Sequence, residues 1–205
     1  MSHNFLIEPN QYLSVSVQAF YNSDYTGGGR WRIPGTIENI VCTLKNDITP
    51  YTDSVLQNTA QELRQILTND LPEILNNTRV NVLTVCVVPR AKVNYKKNQL
   101  LFNSAVHEVT SQLKGFNNGT DFIIRHTDTR TTHRDRSGYG GNGDLPYPGI
   151  TKETCTISKE VKGKNILLID DLYTKSINID EDAIQALLDQ GANKVFFYAI
   201  GRTVR

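Results

Sequence analysis

Short apolar runs bounded by polar residues recur along the chain, which is the pattern of strands buried on both faces of a parallel sheet. The runs lie near residues 80–88, 121–125, 165–169 and 194–199. Segments with apolar residues at helical spacing alternate with them, as in the helix predicted after Asn98. This alternation predicts one α/β domain over residues 1–205, with helices flanking a central parallel sheet and a small added hood.

The first third of the chain is predicted to be helical after an irregular start. Residues 1–35 are expected to form an N-terminal extension or hood, in which the alternation over residues 13–17 indicates a strand with one exposed face. Two short helices follow, one after Thr36 and one after Thr52 or Asp53, and both should face the core.

The most informative stretch is the apolar run 166–169 and the residues that follow it. The run predicts a buried strand, and two carboxylates, Asp170 and Asp171, stand at its carboxyl end. A short polar loop then leads into an amphipathic helix over residues 180–190. In open α/β sheets, ligands bind at such a junction between strand and helix.

The predicted helix has start and stop signals of its own. Asn178 and Glu181 have the spacing of a capping box, and Gly191 stands where a left-handed residue ends a helix. Its first turn also carries the acids 180–182, which would repel a phosphate bound at the helix N-terminus.

This strand, acidic pair and loop resemble the phosphoribosyl diphosphate (PRPP) signature of the type I phosphoribosyltransferases. In that family the catalytic acidic pair holds the ribose 2′- and 3′-hydroxyls, and the loop cradles the 5′-phosphate. Asp170 and Asp171 match the acidic pair, and Thr174 matches the first loop threonine. The resemblance implies a phosphoribosyltransferase-like fold with Mg²⁺ as cofactor. It also implies transfer of the phosphoribosyl group from PRPP to a small-molecule acceptor, with release of pyrophosphate.

The rest of the matched loop differs from the family signature. Lys175 stands where a second Thr is common, Ser176 where Gly is usual, Ile177 where a small residue is usual, and Asn178 where Thr or Ser closes the loop. The Cβ of Ser176 restricts close approach of the backbone to a phosphate, although the helix N-terminus still offers N–H donors. Residues 174–178 are therefore expected to form an altered 5′-phosphate loop, with Lys175 offsetting the missing glycine.

A basic segment follows the apolar run 80–88. It contains Arg90, Lys92, Lys96 and Lys97. Because the carboxyl ends of parallel strands meet at one sheet edge, this segment should lie near the acidic pair. The resemblance implies that it contacts the departing pyrophosphate, and the alternative is a solvated basic turn.

A long polar segment after residue 125 is the most unusual part of the chain. Residues 126–150 are expected to form a flexible loop or hood, because almost no large apolar side chains occur between residues 126 and 144. By the resemblance, this segment closes over the active site as a lid, with Arg130, His133 and Arg134 reaching the diphosphate. Two alternatives stay open, a metal site and a nucleic-acid site.

Within the family, the arrangement is most similar to the competence-protein F group of amidophosphoribosyltransferase-like proteins. The stretch from Thr129 to Arg136 resembles a Thr-x-x-Gln-x-x-x-Arg pattern of that group, with His133 near the Gln position. The pair Leu44–Lys45 at the end of an early helix is also similar. The cysteine pairs that often bind zinc in that group are absent from the sequence.

Composition restricts the function classes further. A net charge of +1 gives no field for non-specific binding to nucleic acid or membranes, so neither is an expected partner. Three separated cysteines favour reduced thiols over a metal cluster, and the polar start of the chain lacks a signal-peptide pattern, so a cytoplasmic location is expected. The expected ligand is PRPP or a nucleotide, and homodimerisation stays open.

Other function classes agree with the same sequence. A non-catalytic sensor of PRPP or nucleotides would retain the acidic pair with an altered loop, and a protein-interaction scaffold would retain only the fold. A response-regulator receiver domain also has a strand that ends in two acids, but there it is the first strand, whereas only 34 residues follow Asp171 here. In the simplest alternative, the acids only cap the loop.

Overall fold

Strands and helices alternate through most of the computed structural model, which describes residues 2–48, 50–131 and 149–204. The helices are α1 (Ile37–Lys45), α2 (Asp53–Thr78), α3 (Leu101–Gln112) and α4 (Ile179–Asp189). The strands are β1 (His3–Ile7), β2 (Val17–Tyr25), β3 (Leu83–Val87), β4 (Phe116–Asn118), β5 (Ile123–Arg125), β6 (Cys155–Ile157), β7 (Asn165–Tyr173) and β8 (Lys194–Thr203). The protein is therefore of the α/β class.

A mostly parallel sheet forms the centre of the described structure. Its six strands have the order β1-β2-β8-β7-β3-β4, and only β1 runs antiparallel to its neighbour. The register places Leu167 of β7 between Val85 of β3 and Phe196 of β8. The parallel strands consequently have their carboxyl ends at one edge of the sheet.

Both faces of the sheet are covered, because successive side chains of a strand point to opposite faces. Leu167 and Ile169 of β7 belong to a core shared with α1, α2 and α3. Ile166 and Leu168 belong to a second core shared with α4 and β1. The apolar run in β7 is thus continuous because the strand is buried on both sides, as its sequence predicts.

The ends of α1 and α4 follow partly from local sequence. The side chain of Thr36 accepts a hydrogen bond from the N–H of Asn39 and caps α1. Gly191 has φ of 95° and ends α4 in a Schellman motif, in which the N–H of Ala192 bonds to the carbonyl of Leu187 at 3.1 Å. The predicted capping box of α4 is wrong, since Asn178 is itself left-handed and makes no side-chain cap.

Helix α2 is longer than the short helix that the sequence predicts. It continues through Pro72 to Thr78, and Leu63, Leu67, Leu71 and Ile74 are fully buried along one face. A proline inside a helix costs about 3 kcal/mol, and the burial of these side chains at about 1.5–3 kcal/mol each outweighs it. No helix within the described ranges has both the length and the apolar character needed to cross a membrane.

Several strand assignments differ from the predictions. The predicted strand at 121–125 is β5, which pairs antiparallel with β6 in a separate two-stranded sheet and is no part of the central sheet. Residues 13–16 are not a strand, and β2 begins at Val17. Because β1 and β2 extend the central sheet, residues 3–25 belong to the core architecture instead of forming a hood.

Strand β7 also extends beyond its predicted end at residue 169. Asp170 pairs with Ala199, and the ladder with β8 continues to Tyr173 opposite Arg202. The acidic pair therefore lies among the last residue pairs between β7 and β8, where main-chain hydrogen bonds fix its position. Within the segment 126–150, which is expected to be flexible, residues 132–148 lie outside the described residues.

Candidate functional site

A cavity of about 360 Å³ opens at the edge of the sheet that holds the carboxyl ends of the parallel strands. Asp170 and Asp171 of β7 line it, together with Tyr25 and Thr203 from the ends of β2 and β8. Residues of the segment after β3 and residues 129–131 also line it. Ligands of open α/β sheets bind at this edge.

Asp170 is held from two sides. Its Oδ1 accepts the main-chain N–H of Asp171 at 2.7 Å, and its carboxyl group also shares a hydrogen bond with the carboxyl group of Asp180 in α4. Burial and the adjacent charge of Asp171 raise the pKa of Asp170 to about 7, because both disfavour the ionised form. At neutral pH this carboxyl group is therefore close to the midpoint of its titration.

Asp171 has a basic partner from another element. The Nζ of Lys45, the last residue of α1, lies 3.0 Å from Oδ1 of Asp171. Burial alone would lower the pKa of Lys45, but the charges of Asp171 and Asp170 outweigh it and raise the pKa. The sequence identifies Lys45 only through its position after Leu44, and the structure shows that it neutralises the acidic pair.

The acids in the first turn of α4 are buried, and of the three Asp180 lines the cavity. Asp180, Glu181 and Asp182 are 5%, 1% and 8% exposed. The hydroxyl of Tyr173 donates to Glu181 at 3.0 Å, and the N–H of Gly149 donates to Asp182. Burial raises the pKa of all three, that of Asp182 to about 6. Their predicted repulsion of a phosphate is weakened, because each acid has a local partner and a reduced tendency to ionise.

Of the four residues predicted to bind pyrophosphate, only Arg90 and Lys92 line a cavity. Arg90 lines the cavity, but its guanidinium also donates to the carbonyls of Lys45 and Gln99 and pairs with Asp47. Lys92 donates to the carbonyl of Thr129 at 2.7 Å and lines a second cavity of about 220 Å³, which Arg90 also borders.

The other two predicted lysines lie elsewhere. Lys96 and Lys97 are exposed and line neither of the two cavities. A polar segment of this length has room for residues both inside and outside a site, and charge alone does not distinguish them.

Arg125, at the end of β5, is a further cation of the cavity, and the motifs of the sequence do not identify it. Its side chain is 7% exposed and lines both cavities. Its Nε donates to the carbonyl of Arg90 at 2.6 Å and its Nη2 to the carbonyl of Gly149 at 3.1 Å. No ion pair among the described residues involves it. The signal in the sequence was an arginine directly after an apolar run.

The predicted 5′-phosphate loop is only partly in the cavity. Thr174 and Ile177 line it, and the Oγ1 atoms of Thr174 and Thr203 are 2.7 Å apart. The N–H of Ile177 donates to the carbonyl of Thr174, which closes a tight turn. Lys175 and Ser176 are exposed at that turn and do not line the cavity.

The remaining residue of the loop faces the N-terminal part of the chain. The side-chain oxygen of Asn178 accepts a hydrogen bond from Asn10 at 3.1 Å. It is not among the residues that line the cavity. The turn therefore presents one threonine, not a full set of donors, to the cavity.

Of the predicted lid residues, Arg130 lines the cavity, whereas His133 and Arg134 lie outside the described residues. Within the described ranges, no group of three or more His, Cys, Asp or Glu side chains could hold a metal ion. The lining of the cavity combines carboxyl groups with lysine and arginine side chains. Such a set can accept hydrogen bonds from hydroxyls and donate them to an anion.

The chain was also compared with known proteins. No protein-family model matches it, and no curated protein matches it.

Proposed function

We propose that the cavity binds PRPP and that the protein transfers the phosphoribosyl group to a small-molecule acceptor, with release of pyrophosphate. One observation carries the proposal: Asp170 and Asp171 face the same cavity as Arg90, Arg125 and Arg130. Few ligands need both kinds of group at once. A sugar with adjacent hydroxyls and phosphate groups does.

The carboxyl groups of Asp170 and Asp171 suit the ribose hydroxyls. An ionised carboxylate only accepts hydrogen bonds, and two adjacent hydroxyls can donate one to each of two neighbouring acids. Lys45 offsets the charge of Asp171, so the two acids can bind hydroxyls without repelling a phosphorylated ligand. The position at the ends of β7 fixes both carboxyl groups on rigid structure.

The arginines that line the cavity suit the phosphate groups. Arginine binds phosphate oxygens through two parallel N–H donors and stays charged at all physiological pH values. Arg125 is buried and its hydrogen bonds go to main-chain oxygens, so its charge is available to an anion in the cavity. Arg90 is fixed by several acceptors, so it offers a preorganised charge instead of a mobile one.

The expected Mg²⁺ fits this donor set only as a partner of the ligand. Mg²⁺ accepts a few carboxylates and otherwise prefers substrate oxygens and water, so a protein cage is not required. The diphosphate and ribose oxygens would hold it, and it would neutralise charge on the departing pyrophosphate. We assign no side chain of this protein to the ion.

One observation favours a second candidate, a non-catalytic PRPP or nucleotide sensor. The turn of residues 174–177 uses the N–H of Ile177 internally, and Lys175 and Ser176 are exposed. A weaker hold on the 5′-phosphate is compatible with reversible binding and offers less of the positioning that transfer requires. Turnover distinguishes the two candidates, since only the enzyme releases pyrophosphate.

Thermal unfolding with and without PRPP and Mg²⁺ tests the proposal. A ligand at a hundredfold excess over its dissociation constant adds about 2.7 kcal/mol of stability. For a domain of this size, that corresponds to a rise in Tm of about 5–11 °C. Replacement of Asp170 and Asp171 by Asn should remove the rise, whereas Lys96→Ala, outside both cavities, should leave it unchanged.

Two control ligands show which part of PRPP is bound. Ribose 5-phosphate and inorganic pyrophosphate, each with Mg²⁺, separate the contributions of the two ends of PRPP. A shift with pyrophosphate alone, undiminished in the double Asn variant, would refute the diol site. Pyrophosphate release in the presence of candidate amines and bases then decides between enzyme and sensor.

A further inference from the structure

Asp180 stands out among the buried acids of the protein. It is 5% exposed, lines the same cavity as Asp170, and its carboxyl group is hydrogen-bonded to that of Asp170. Apart from this contact with Asp170, its buried Oδ1 has no hydrogen-bond partner among the described residues. Nothing in the phosphoribosyl signature calls for an acid at this position.

Two carboxyl groups in hydrogen-bond contact cannot both be ionised at low cost, so one proton lies between them. The position of the proton follows from the surroundings. Asp170 has other stabilisation for a negative charge, because the N–H of Asp171 donates to it and Lys45 is close. Asp180 has a buried oxygen at which no donor of the described residues is directed, which is far less costly on a neutral acid than on an ionised one.

The other charged groups around Asp180 act in the same direction. Asp171 and Glu181 both add negative charge near it, and burial is the largest factor that raises its pKa. The hydroxyl of Tyr173, on the adjacent strand, donates to Glu181 and so is not directed at Asp180. The N-terminal end of α4 favours a negative charge, but that effect is small compared with the cost of burying one.

Three of the four cations that line the cavity have contacts elsewhere. Lys45 makes its ion pair with Asp171, and Arg90 makes its own with Asp47. Arg125 donates to main-chain oxygens, and no ion pair between Asp180 and a cation occurs among the described residues. Asp170 is therefore the group through which Asp180 can act on a ligand.

We propose that Asp180 stays protonated at neutral pH and serves as a hydrogen-bond donor that fixes Asp170 in its binding orientation. Once Asp170 ionises, the pair carries a single negative charge, on Asp170. Asp180 is a positioning residue, since it acts on a ligand through Asp170. The consequence for ribose binding rests on the proposed function, whereas the protonation of the pair does not.

Two substitutions of similar shape separate a donor from a space-filling group. Asp180→Asn keeps a neutral hydrogen-bond donor, and Asp180→Leu keeps the site dry without one. A neutral donor stabilises the ionised form of Asp170, so its loss raises the pKa of Asp170. Carbon-detected NMR of the side-chain carboxyl groups measures this without any ligand. The titration of Asp170 should be nearly unchanged in Asp180→Asn and should move to higher pH in Asp180→Leu.

Binding of PRPP with Mg²⁺ from pH 6 to 9 supplies the second measurement. Asp180→Asn should bind as the wild type does, and Asp180→Leu should bind about ten- to a hundredfold more weakly at pH 7 and recover as the pH rises. Asp189→Asn, an exposed acid at the other end of α4 that does not line the cavity, is the control and should leave the pH profile in place.

The outcomes are separable. If PRPP binds to no variant but the carboxyl titrations behave as described, the proposed function fails and the inference about Asp180 stands. If Asp180→Asn displaces the Asp170 titration as far as Asp180→Leu does, Asp180 is no proton donor. An unchanged titration in Asp180→Leu overturns the positioning role.

Discussion

Replacement of Lys45 by Met removes the positive charge that is paired with Asp171. The Nζ of Lys45 lies 3.0 Å from Oδ1 of Asp171, and the two side chains are 23% and 21% exposed. At that separation and an effective dielectric constant of about 20, the attraction is about 5.5 kcal/mol. Solvent screening and the cost of desolvating both groups reduce the net loss to about 1–3 kcal/mol at pH 8.

The loss should depend on pH, and its sign follows from Asp170. The charge of Lys45 lowers the pKa of Asp170, so its removal raises that pKa above about 7. An acid with a raised folded-state pKa contributes stability below its unfolded pKa, and that stability is lost as the pH rises through the folded value. Lys45→Met should therefore be less destabilising at pH 5 than at pH 8.

Urea unfolding followed by far-ultraviolet circular dichroism at pH 5 and pH 8 measures both free energies. The matched control is Arg64→Met, which breaks the ion pair between Arg64 of α2 and Glu108 of α3. That pair is more exposed, so its loss should cost under about 1 kcal/mol at either pH. A Lys45→Met variant that loses no more than the control at pH 8, or loses the same at both pH values, would refute the reasoning.

Three further substitutions test other parts of the structure. A Cβ on Gly119 would lie 2.9 Å from Cγ2 of Thr84 and 3.1 Å from the carbonyl of Val85, so Gly119→Ala should lower the unfolding free energy by about 1–3 kcal/mol in urea, and an unchanged midpoint would contradict this packing. Tyr198→Phe removes a buried 2.8 Å hydrogen bond to Asp70 and should cost about 1.5–3 kcal/mol in the same assay. Lys175→Ala should leave PRPP affinity unchanged by calorimetry, because Lys175 is exposed and outside the cavity; a tenfold loss would show that the turn rearranges on binding.

The parts of the fold that the sequence predicts correctly are those determined locally. The apolar run 166–169 is buried on both faces, Thr36 caps α1, and Gly191 ends α4 in the left-handed conformation. Each depends on residues a few positions apart, for which periodicity and backbone preference are sufficient.

The parts that the sequence misses depend on distant partners. Strand β5 has the apolar pattern of a sheet strand, and only its pairing with β6 shows that it lies outside the central sheet. The helix α2 passes through Pro72 because a buried face continues on the far side of it.

The same distinction applies to the site. The position of Asp170 and Asp171 at a strand end is a local feature, whereas the hydrogen bond to Asp180 and the ion pair with Lys45 depend on how α4 and α1 pack against β7. Arg90 is a second example of a residue whose contacts the sequence does not predict. Its charge is visible in the sequence, and its contacts with Asp47 and Gln99 are not.

The pairing of β2 with β8 has a consequence for how the chain folds. Strand β2 forms a parallel ladder with β8, in which Ala19 pairs with Phe197, a residue that is synthesised 178 positions later. During synthesis β2 has no parallel neighbour until β8 has left the ribosome, and its apolar residues Ala19 and Phe20 stay without their final cover. Contacts of such large sequence separation slow folding, because much of the chain must be ordered before they form. The central sheet is thus completed only when β8 is available to pair with both β2 and β7.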